Sequence, residues 1–487
     1  MVREIYIDPI TRLEGHGRIV IVLDDGGNCV KAYLQVPELR GFEKFAEGRL
    51  AEDMAIITPR ICGVCPTAHH MASVKALDDL YKVDPPEPAK KIRELFYNLF
   101  MLEDHALHVY ILAGPDFIVG PDSPREERNL IGVLNRVGRE VFLRVINARK
   151  RIRGLMEKIG GRVIHPVFGV PGGISRPLDG EVVRELRGFT DDAIRFAEFT
   201  LKVFRRIVLS NPRYMDLITS DAYTHETYYM GLVDGGNRVN FYDGLIRVVD
   251  PKGREFIKFG VHDYTKYLGE HVEPWTYMTF LYLRDIGWKG FRDGPDSGIY
   301  SVAPLARLNV SDSLATPLAQ EAYEEMYDAL GGKPVHYTLA NHWARVIEMI
   351  YAAERIRELA YDPDIESRDV RVIPESEPDI GIGVVEAPRG ILIHHYETDR
   401  EGIVRGANLI VATQHNAARI ALSIDKAARS LIRGGEVNEG LLNMVEMAFR
   451  AYDPCHACGT HSIPGDLPIV LYIYNIDGEL IARRSLP

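Results

Sequence analysis

The chain has 487 residues, 46% of them hydrophobic and 26% charged, which is typical of a folded globular protein and excludes a disordered, collagen-like or disulfide-rich chain. The formal charge of −11 argues against general nucleic-acid binding. No apolar run reaches the roughly 18 residues of a membrane span, and residues 1–9 lack an apolar signal core, so a cytoplasmic location is expected. Glutamine occurs at three positions, a depletion of thermolabile amides that favours a thermophilic source: Gln35, Gln320 and Gln414.

The first half of the chain begins with predicted β-structure and continues as long helices. Residues 18–23 form a β-branched run that can pair as a hairpin with residues 30–36. The Gly- and Pro-rich residues 163–176 are predicted to form an ordered loop. Apolar residues recur at helical spacing in five segments: 43–57, 67–82, 87–113, 124–159 and 180–209.

The second half begins with an irregular, β-containing insertion at about residues 217–300. Residues 384–394 read as a strand, a turn and a strand, and residues 469–481 as a hairpin. Helical periodicity is found at 317–330, 338–361, 413–433 and 436–451. The prediction is a mainly α (α+β) fold with a long-helix bundle core, an N-terminal β-hairpin and small β insertions. Residues 1–461 are expected to form one domain, followed by a tail at 462–487.

The five cysteines carry most of the chemical information in the sequence. Four form two Cys-x-x-Cys pairs, Cys62 with Cys65 and Cys455 with Cys458. Cys29 is interpreted as a small buried hydrophobic residue. Two pairs supply four thiolates, which suit tetrahedral zinc, an iron–sulfur cluster, nickel or iron. Spacing alone leaves these metals open, with a redox dithiol as a further alternative.

The two pairs lie near opposite ends of the chain, whereas the two pairs of a structural zinc site usually lie about 15–20 residues apart. This separation favours a central site over a local zinc staple. His69, His70, Asp453 and His461 lie close to the pairs. Imidazole and carboxylate groups beside metal-bound thiolates can move protons or orient ligands, although each of these residues is equally consistent with a structural role.

Both cysteine motifs resemble those of the large subunit of nickel–iron hydrogenases. Residues 60–65 together with His69 resemble the N-terminal metal motif of that family, and residues 453–461 resemble the C-terminal one. The resemblance spans about residues 8–461. Three weaker matches fall in the order expected for the family: residues 11–16 (Thr-Arg-Leu-Glu-Gly-His), 39–43 (Leu-Arg-Gly-Phe-Glu) and 386–390 (Glu-Ala-Pro-Arg-Gly).

The resemblance implies an enzyme that cleaves dihydrogen heterolytically and reversibly at a nickel–iron centre. Cys62 and Cys455 would be terminal nickel ligands. Cys65 and Cys458 would bridge nickel to an iron that carries carbon monoxide and cyanide. A second metal, magnesium or iron, would be bound by two further residues, Glu43 and His461.

The resemblance also implies roles for residues around the metal. Glu14 would relay protons beside a terminal thiolate, and Arg389 would be a fixed cation that stabilises charge as dihydrogen splits. Asp104 and Asp453 would lie beside the centre. Taken alone, Glu14 would pass for a surface or helix-cap residue and Arg389 for a salt-bridge residue at a turn. The residues expected around the diatomic ligands are Pro388, Ala412 and Thr413.

Residues 65–76 and 112–117 resemble the cytoplasmic methyl-viologen-reducing branch, whose members do not use the deazaflavin coenzyme directly. Beyond the pairs the chain has only Cys29, too few thiolates for its own iron–sulfur clusters. The implied partners are a small iron–sulfur subunit packed near residues 10–65, a further electron-transfer subunit with heterodisulfide reductase as a candidate, and a maturation endopeptidase that removes residues 462–487. The alternatives are a zinc-stabilised helical scaffold, a respiratory-complex-type subunit without hydrogenase activity, or a helical interaction protein.

Overall fold

The computed structural model describes residues 3–460, 469–475 and 479–486. Helices dominate this part of the chain. Those of eight residues or more are α1 (Pro66–Leu80), α2 (Glu87–Leu107), α3 (Leu130–Val137), α4 (Arg139–Gly160), α5 (Gly180–Phe204), α6 (Pro317–Ala329), α7 (Asn341–Tyr361), α8 (Ala412–Leu431) and α9 (Glu439–Arg450). Shorter α-helices span Phe42–Ala46, Met54–Ile57, Gly114–Ile118, Pro212–Ile218, Tyr264–Tyr267, Pro304–Val310 and His456–Gly459.

The core of the molecule is a bundle of the long helices. Helix α7 is buried along most of its length and packs against α2, α5 and α6. Helix α4 covers α2 and α5 from the outside, with its apolar face inward and its charged face toward solvent. One continuous apolar cluster, which includes Leu99, Phe189 and Trp343, fills the space between these helices. The predicted mainly α (α+β) fold with a long-helix core is therefore confirmed.

The N-terminal strands form an antiparallel sheet in the order β1 (Arg3–Ile7), β2 (Arg18–Leu23) and β3 (Cys29–Gln35). The predicted hairpin is the β2–β3 pair, in which Ile19 lies opposite Leu34. The strand β1, which the sequence did not predict, pairs with the other edge of β2. Helix α8 packs on β3 and joins this sheet to the C-terminal half of the chain.

The predicted β-containing insertion at 217–300 is also confirmed. It contains β6 (Tyr228–Val233), β7 (Leu245–Val249), β8 (Glu255–Phe259), β9 (Leu268–His271) and β10 (Phe280–Leu283), and β11 (Tyr300–Ser301) follows directly. Strands β11, β6, β7 and β8 form one sheet in that order, and β9 pairs with β10. Within the segment predicted as a loop, a small hairpin forms from β4 (Gly169–Val170) and β5 (Gly173–Ile174).

A third sheet contains β12 (Ile380–Ala387), β13 (Gly390–Thr398) and β14 (Val404–Ile410), with β13 in the middle. Helix α1 packs against β12 and β13. The turn between these strands presents Arg389, and Ala387 pairs with Gly390 across it. Gly390 has a φ of +131°, and a Cβ there would lie 2.2 Å from the Val302 side chain, so this position requires glycine.

The sequence did not indicate where two of the helical segments are interrupted. Residues 124–159 form α3 and α4 rather than one helix, because Gly138 between them has a φ of +83° that a continuous helix does not allow. Residues 43–57 form two short helices. The C-terminal strands β15 (Ile469–Tyr474) and β16 (Leu480–Leu486) pair as predicted. Within the described residues, no helix is both long enough and apolar enough to cross a bilayer.

A buried ion-pair network joins the helical core to the β12–β13 turn. The Arg307 guanidinium donates through Nε and Nη2 to Glu348 (2.6 and 2.7 Å) and through Nη1 to Glu386 (3.0 Å). It also donates to the carbonyl oxygens of Ala387 (2.8 Å) and Pro388 (3.1 Å). Despite burial, the charge of Arg307 lowers the pKa of Glu348 to about 2. Arg307 therefore holds the backbone immediately before Arg389.

Replacing Arg307 by Met should lower the free energy of unfolding by about 3–5 kcal/mol, because two buried carboxylates lose their cation. The matched control is Arg205→Met. Arg205 pairs with Glu325 at the surface, where an ion pair contributes about 1 kcal/mol or less. Denaturant titrations of both variants measure the difference, and equal losses would contradict the proposed importance of the network.

Candidate metal centre

Four cysteine sulfurs converge between the first cysteine motif and the short helix His456–Gly459. The Sγ atoms of Cys62 and Cys455 are 3.4 Å apart, those of Cys65 and Cys458 3.6 Å, and those of Cys455 and Cys458 2.8 Å. All four lie within 4.8 Å of one another and are buried. Cys65 precedes α1, whereas Cys62 ends the short turn at Thr58–Ile61, so both sulfurs are fixed by local backbone structure.

The electrostatics of this cluster suit a bound cation. Burial raises the pKa of Cys455 and of Cys458 well above the ordinary thiol value, and the neighbouring sulfurs add to the effect. Four thiolates this close together repel one another in a medium of low dielectric constant. A metal ion removes that penalty and binds the deprotonated form. The donor set therefore fits a metal that prefers sulfur, including nickel.

Glu14 reaches the cluster as the sequence predicted. Its backbone pairs with Cys455 in a parallel bridge, and its carbonyl accepts a hydrogen bond from the His456 N–H at 2.9 Å. Its Oε2 accepts a hydrogen bond from Cys455 Sγ at 2.9 Å. Burial, followed by the charge of Cys62, raises the pKa of Glu14 above its usual value. Gly15 allows this approach, because a Cβ there would lie 2.7 Å from the Ala457 nitrogen.

Arg389 is held by two buried aspartates, both of them predicted site residues. Its Nη2 lies 2.8 Å from Asp453 Oδ2, its Nε donates to the Asp453 carbonyl at 2.6 Å, and its Nη1 donates to Asp104 at 3.3 Å. Burial raises the pKa of Asp104 to about 7 against the opposing charge of Arg389. Burial acts in the same direction on Asp453, but Arg389 and His108 outweigh it and hold the pKa of Asp453 well below its usual range.

The residues predicted for the diatomic ligands lie on two neighbouring elements. Pro388 is in the β12–β13 turn, and Ala412 and Thr413 begin α8. Thr413 Oγ1 accepts a hydrogen bond from the Cys455 N–H at 2.9 Å, so α8 contacts the backbone of a cysteine in the cluster. All three residues are buried. The structure thus brings them to the wall of the sulfur cluster.

The predicted second metal site is described only in part. Glu43 lies in the short helix Phe42–Ala46, and its Oε1 accepts a hydrogen bond from the Leu409 N–H at 2.7 Å. The Arg40 N–H donates to the Thr460 carbonyl at 2.9 Å, so the chain approaches this helix just before position 461. His461 itself lies outside the described residues.

Other residues near the cluster were not assigned roles from the sequence. His69 Nε2 lies 3.4 Å from Cys458 Sγ; its position four residues after Cys65, on α1, was the available signal. His108 lies 3.0 Å from Asp453, yet no motif marks it. His70 instead has a structural role, because its ring accepts the Gly169 N–H at 3.0 Å and contacts the Ala55 carbonyl at 2.8 Å. Cys29 is buried and separate from the cluster, as expected.

Comparison with known proteins identifies the family. A model described as nickel-dependent hydrogenase matches residues 40–121 and 296–461, and a model described as HoxL-like matches residues 4–39. The chain is 46% identical to the iron-sulfur subunit of an F420-non-reducing hydrogenase from Archaeoglobus profundus, over 98% of this chain and 99% of that protein. It is 42% identical to a vhu subunit of the F420-non-reducing hydrogenase from Methanocaldococcus jannaschii, over 88% of this chain and all of that protein.

A solved structure of an NAD+-reducing [NiFe]-hydrogenase in the H2-reduced state superimposes with a TM-score of 0.89 at 36% identity, covering 94% of this chain and 99% of that one. The chain belongs to the nickel-dependent hydrogenase family, as a large subunit. It is an oxidoreductase that acts on hydrogen, and the naming of its relatives as subunits implies a partner subunit. The zinc-scaffold and respiratory-complex alternatives are not favoured.

The cysteine cluster makes a direct prediction about metal content. Cys62→Ser and Cys458→Ser proteins should lose most of their nickel, because each lacks one of four converging thiolates. Cys29→Ser is the matched control and should retain it, because Cys29 lies outside the cluster. Elemental analysis of protein purified without oxygen measures the outcome. Equal nickel in all three variants would show that the cluster does not hold the metal.

Proposed function

We propose that the four sulfurs hold a nickel–iron centre, with Cys62 and Cys455 as terminal nickel ligands and Cys65 and Cys458 as bridges to an iron that carries carbon monoxide and cyanide. When bound, this centre supplies the heterolytic, reversible cleavage of dihydrogen. The observation that carries the proposal is the arrangement around the buried sulfurs, in which a carboxylate contacts Cys455 and a fixed cation lies among the neighbouring aspartates.

Glu14 is the proposed proton relay. Its Oε2 takes the proton from Cys455 Sγ and returns it in the reverse direction. The raised pKa of Glu14 supports this role, because a carboxyl group whose pKa lies nearer to neutrality exchanges protons more readily in both directions. Its side chain is only partly buried, so the proton can continue toward the protein surface.

Arg389 is the proposed fixed cation beside the reacting atoms. Asp104 and Asp453 orient its guanidinium without sharing a proton with it, because arginine stays charged in proteins. A preoriented cation in a buried site stabilises developing negative charge without reorganisation. Thr413 is proposed to donate its hydroxyl proton to a cyanide, since its oxygen already accepts the Cys455 N–H. The backbones at Pro388 and Ala412 complete the pocket.

Glu43 and His461 are proposed to bind a second metal, magnesium or iron. The carboxylate of Glu43 supports a hard cation. The contact between Arg40 and Thr460 supports the approach of residue 461 to the helix that carries Glu43. This metal would tie the end of the mature chain to the first cysteine motif.

Electrons are proposed to leave to a small iron–sulfur subunit that packs near residues 10–65. Exposed apolar residues support this surface: Phe45 is 50% exposed and Ile56 48%. Both line a groove that also contains Arg40 and Arg60, two residues before Cys62. The names of the relatives support a hydrogenase that does not reduce F420, the deazaflavin coenzyme. A cytoplasmic location and a further electron-transfer subunit, with heterodisulfide reductase as the candidate acceptor, complete the proposal.

Replacing Glu14 by Gln should reduce hydrogen–deuterium exchange between dihydrogen and water by about 100-fold or more, because the amide cannot relay a proton. Nickel and iron contents should not change. Glu38→Gln is the matched control, since Glu38 lies against Gly15 but does not contact a cysteine of the cluster. Wild-type exchange in the Glu14→Gln enzyme would remove the relay assignment.

Residues 1–461 are proposed to form the mature domain, and residues 462–487 a tail removed by an endopeptidase after nickel insertion. The described part of the tail supports this view, because β15 and β16 pair with each other while Leu480 and Ile481 are 52% and 65% exposed. A terminal hairpin with exposed apolar side chains suits a temporary segment.

Intact-mass measurement tests the proposed removal. Nickel-containing protein from its native host should lack the mass of residues 462–487, whereas protein from cells grown without nickel should retain it. A nickel-containing enzyme with the complete tail would contradict the proposal.

A further inference from the structure

A chain of buried hydrogen bonds extends from Cys458 to the opposite side of α1. His69 Nε2 lies 3.4 Å from Cys458 Sγ, and His69 Nδ1 lies 3.1 Å from His394 Nε2. His394 Nδ1 lies 2.7 Å from the Tyr396 hydroxyl, which lies 2.9 Å from Ser73 Oγ. All five residues are at least 95% buried. The network is separate from Glu14 and Arg389.

The secondary structure aligns these residues. His69 and Ser73 are four residues apart on α1 and therefore lie on the same face of that helix. His394 and Tyr396 are two residues apart on β13, so their side chains point to one face of the sheet. Because α1 packs on β13, the two pairs interlock.

A metal-bound Cys458 would fix the direction of every proton in this chain. A thiolate is an acceptor, so His69 must donate from Nε2 and its Nδ1 must accept. His394 then donates from Nε2 and accepts at Nδ1, where the hydroxyl hydrogen of Tyr396 is the available donor. The Tyr396 oxygen can in turn accept from Ser73, because hydroxyl hydrogens rotate. Both imidazoles stay neutral throughout, and no group has to titrate.

We propose that His394 and Tyr396 are positioning residues that hold His69 as a hydrogen-bond donor to Cys458 and thereby tune the metal centre. The proposal rests on the proposed nickel–iron function. A hydrogen bond to a ligand sulfur withdraws negative charge from it and stabilises the reduced form of the metal. In a buried network each bond polarises the next, so Tyr396 acts on the sulfur through two imidazoles.

The first test replaces Tyr396 by Phe in the complete hydrogenase complex. Without the hydroxyl, His394 is free to adopt the other tautomer and stops donating to His69. The sulfur then becomes more electron-rich, so the infrared bands of carbon monoxide and cyanide on the iron should shift to lower wavenumber. The midpoint potential of nickel should fall. Nickel content should stay at the wild-type level.

The matched control is Tyr229→Phe, which removes another buried tyrosine hydroxyl that contacts a histidine, His336, at 2.7 Å. The Tyr229 hydroxyl also donates to the Val335 carbonyl at 3.1 Å, so these contacts lie on a segment distant in sequence from both cysteine motifs. The infrared bands of this variant should match the wild type. A role of Tyr396 in packing alone predicts the same unshifted bands in both variants, and that result would overturn the proposal.

Variants of His394 give an independent test. In His394→Gln the amide nitrogen can still donate to His69 and needs no tyrosine to fix its orientation, whereas His394→Leu cannot donate. The proposal requires bands near wild type for Gln and shifted bands for Leu. It also requires that Tyr396→Phe has no further effect in the His394→Gln background. Equal bands for Gln and Leu would overturn it.

The tuning proposal and the proposed nickel–iron centre fail differently. Wild-type enzyme without any carbon monoxide or cyanide bands would contradict the proposed nickel–iron centre, and the tuning proposal with it. Wild-type enzyme with these bands, together with unshifted bands in Tyr396→Phe and His394→Leu, would contradict the tuning proposal alone.

Discussion

The convergence of four buried thiols is the constraint on which the rest of the structure depends. Cys62 and Cys455 are 393 positions apart in the chain, yet their sulfurs are 3.4 Å apart. Such a cluster is costly without a cation, because closely spaced thiolates repel in a buried site. The parallel bridge between Glu14 and Cys455 and the contact between Thr413 and Cys455 hold the two ends of the chain together around it.

Charged residues surround this cluster in two layers. Arg389 lies between Asp104 and Asp453 next to the sulfurs, and Arg307 anchors the turn that presents Arg389. Each buried cation has carboxylate partners, which is the condition under which buried charge is tolerated. Function and stability therefore share the same residues, because the network that supports the helical core also fixes the orientation of the catalytic turn.

Much of the fold could be predicted because it depends on local periodicity. The spacing of apolar residues predicted the long helices, and the β-branched run at 18–23 predicted the hairpin. The break at Gly138 was missed, because a glycine within an amphipathic pattern does not reveal its own φ angle. Glu14 and Arg389 could be predicted from motifs. His108 and Tyr396 could not, because no sequence relation connects them to the cysteines that they approach directly or through other side chains.

The sequence by itself determined the chemical class of the site, because two Cys-x-x-Cys pairs specify four soft ligands and the surrounding motifs specify the family. Only the tertiary structure decided which side chains act on those ligands. Hydrogen bonds and ion pairs extend over about 3 Å, and that proximity between residues such as His69 and His394, 325 positions apart, arises only when α1 packs on β13.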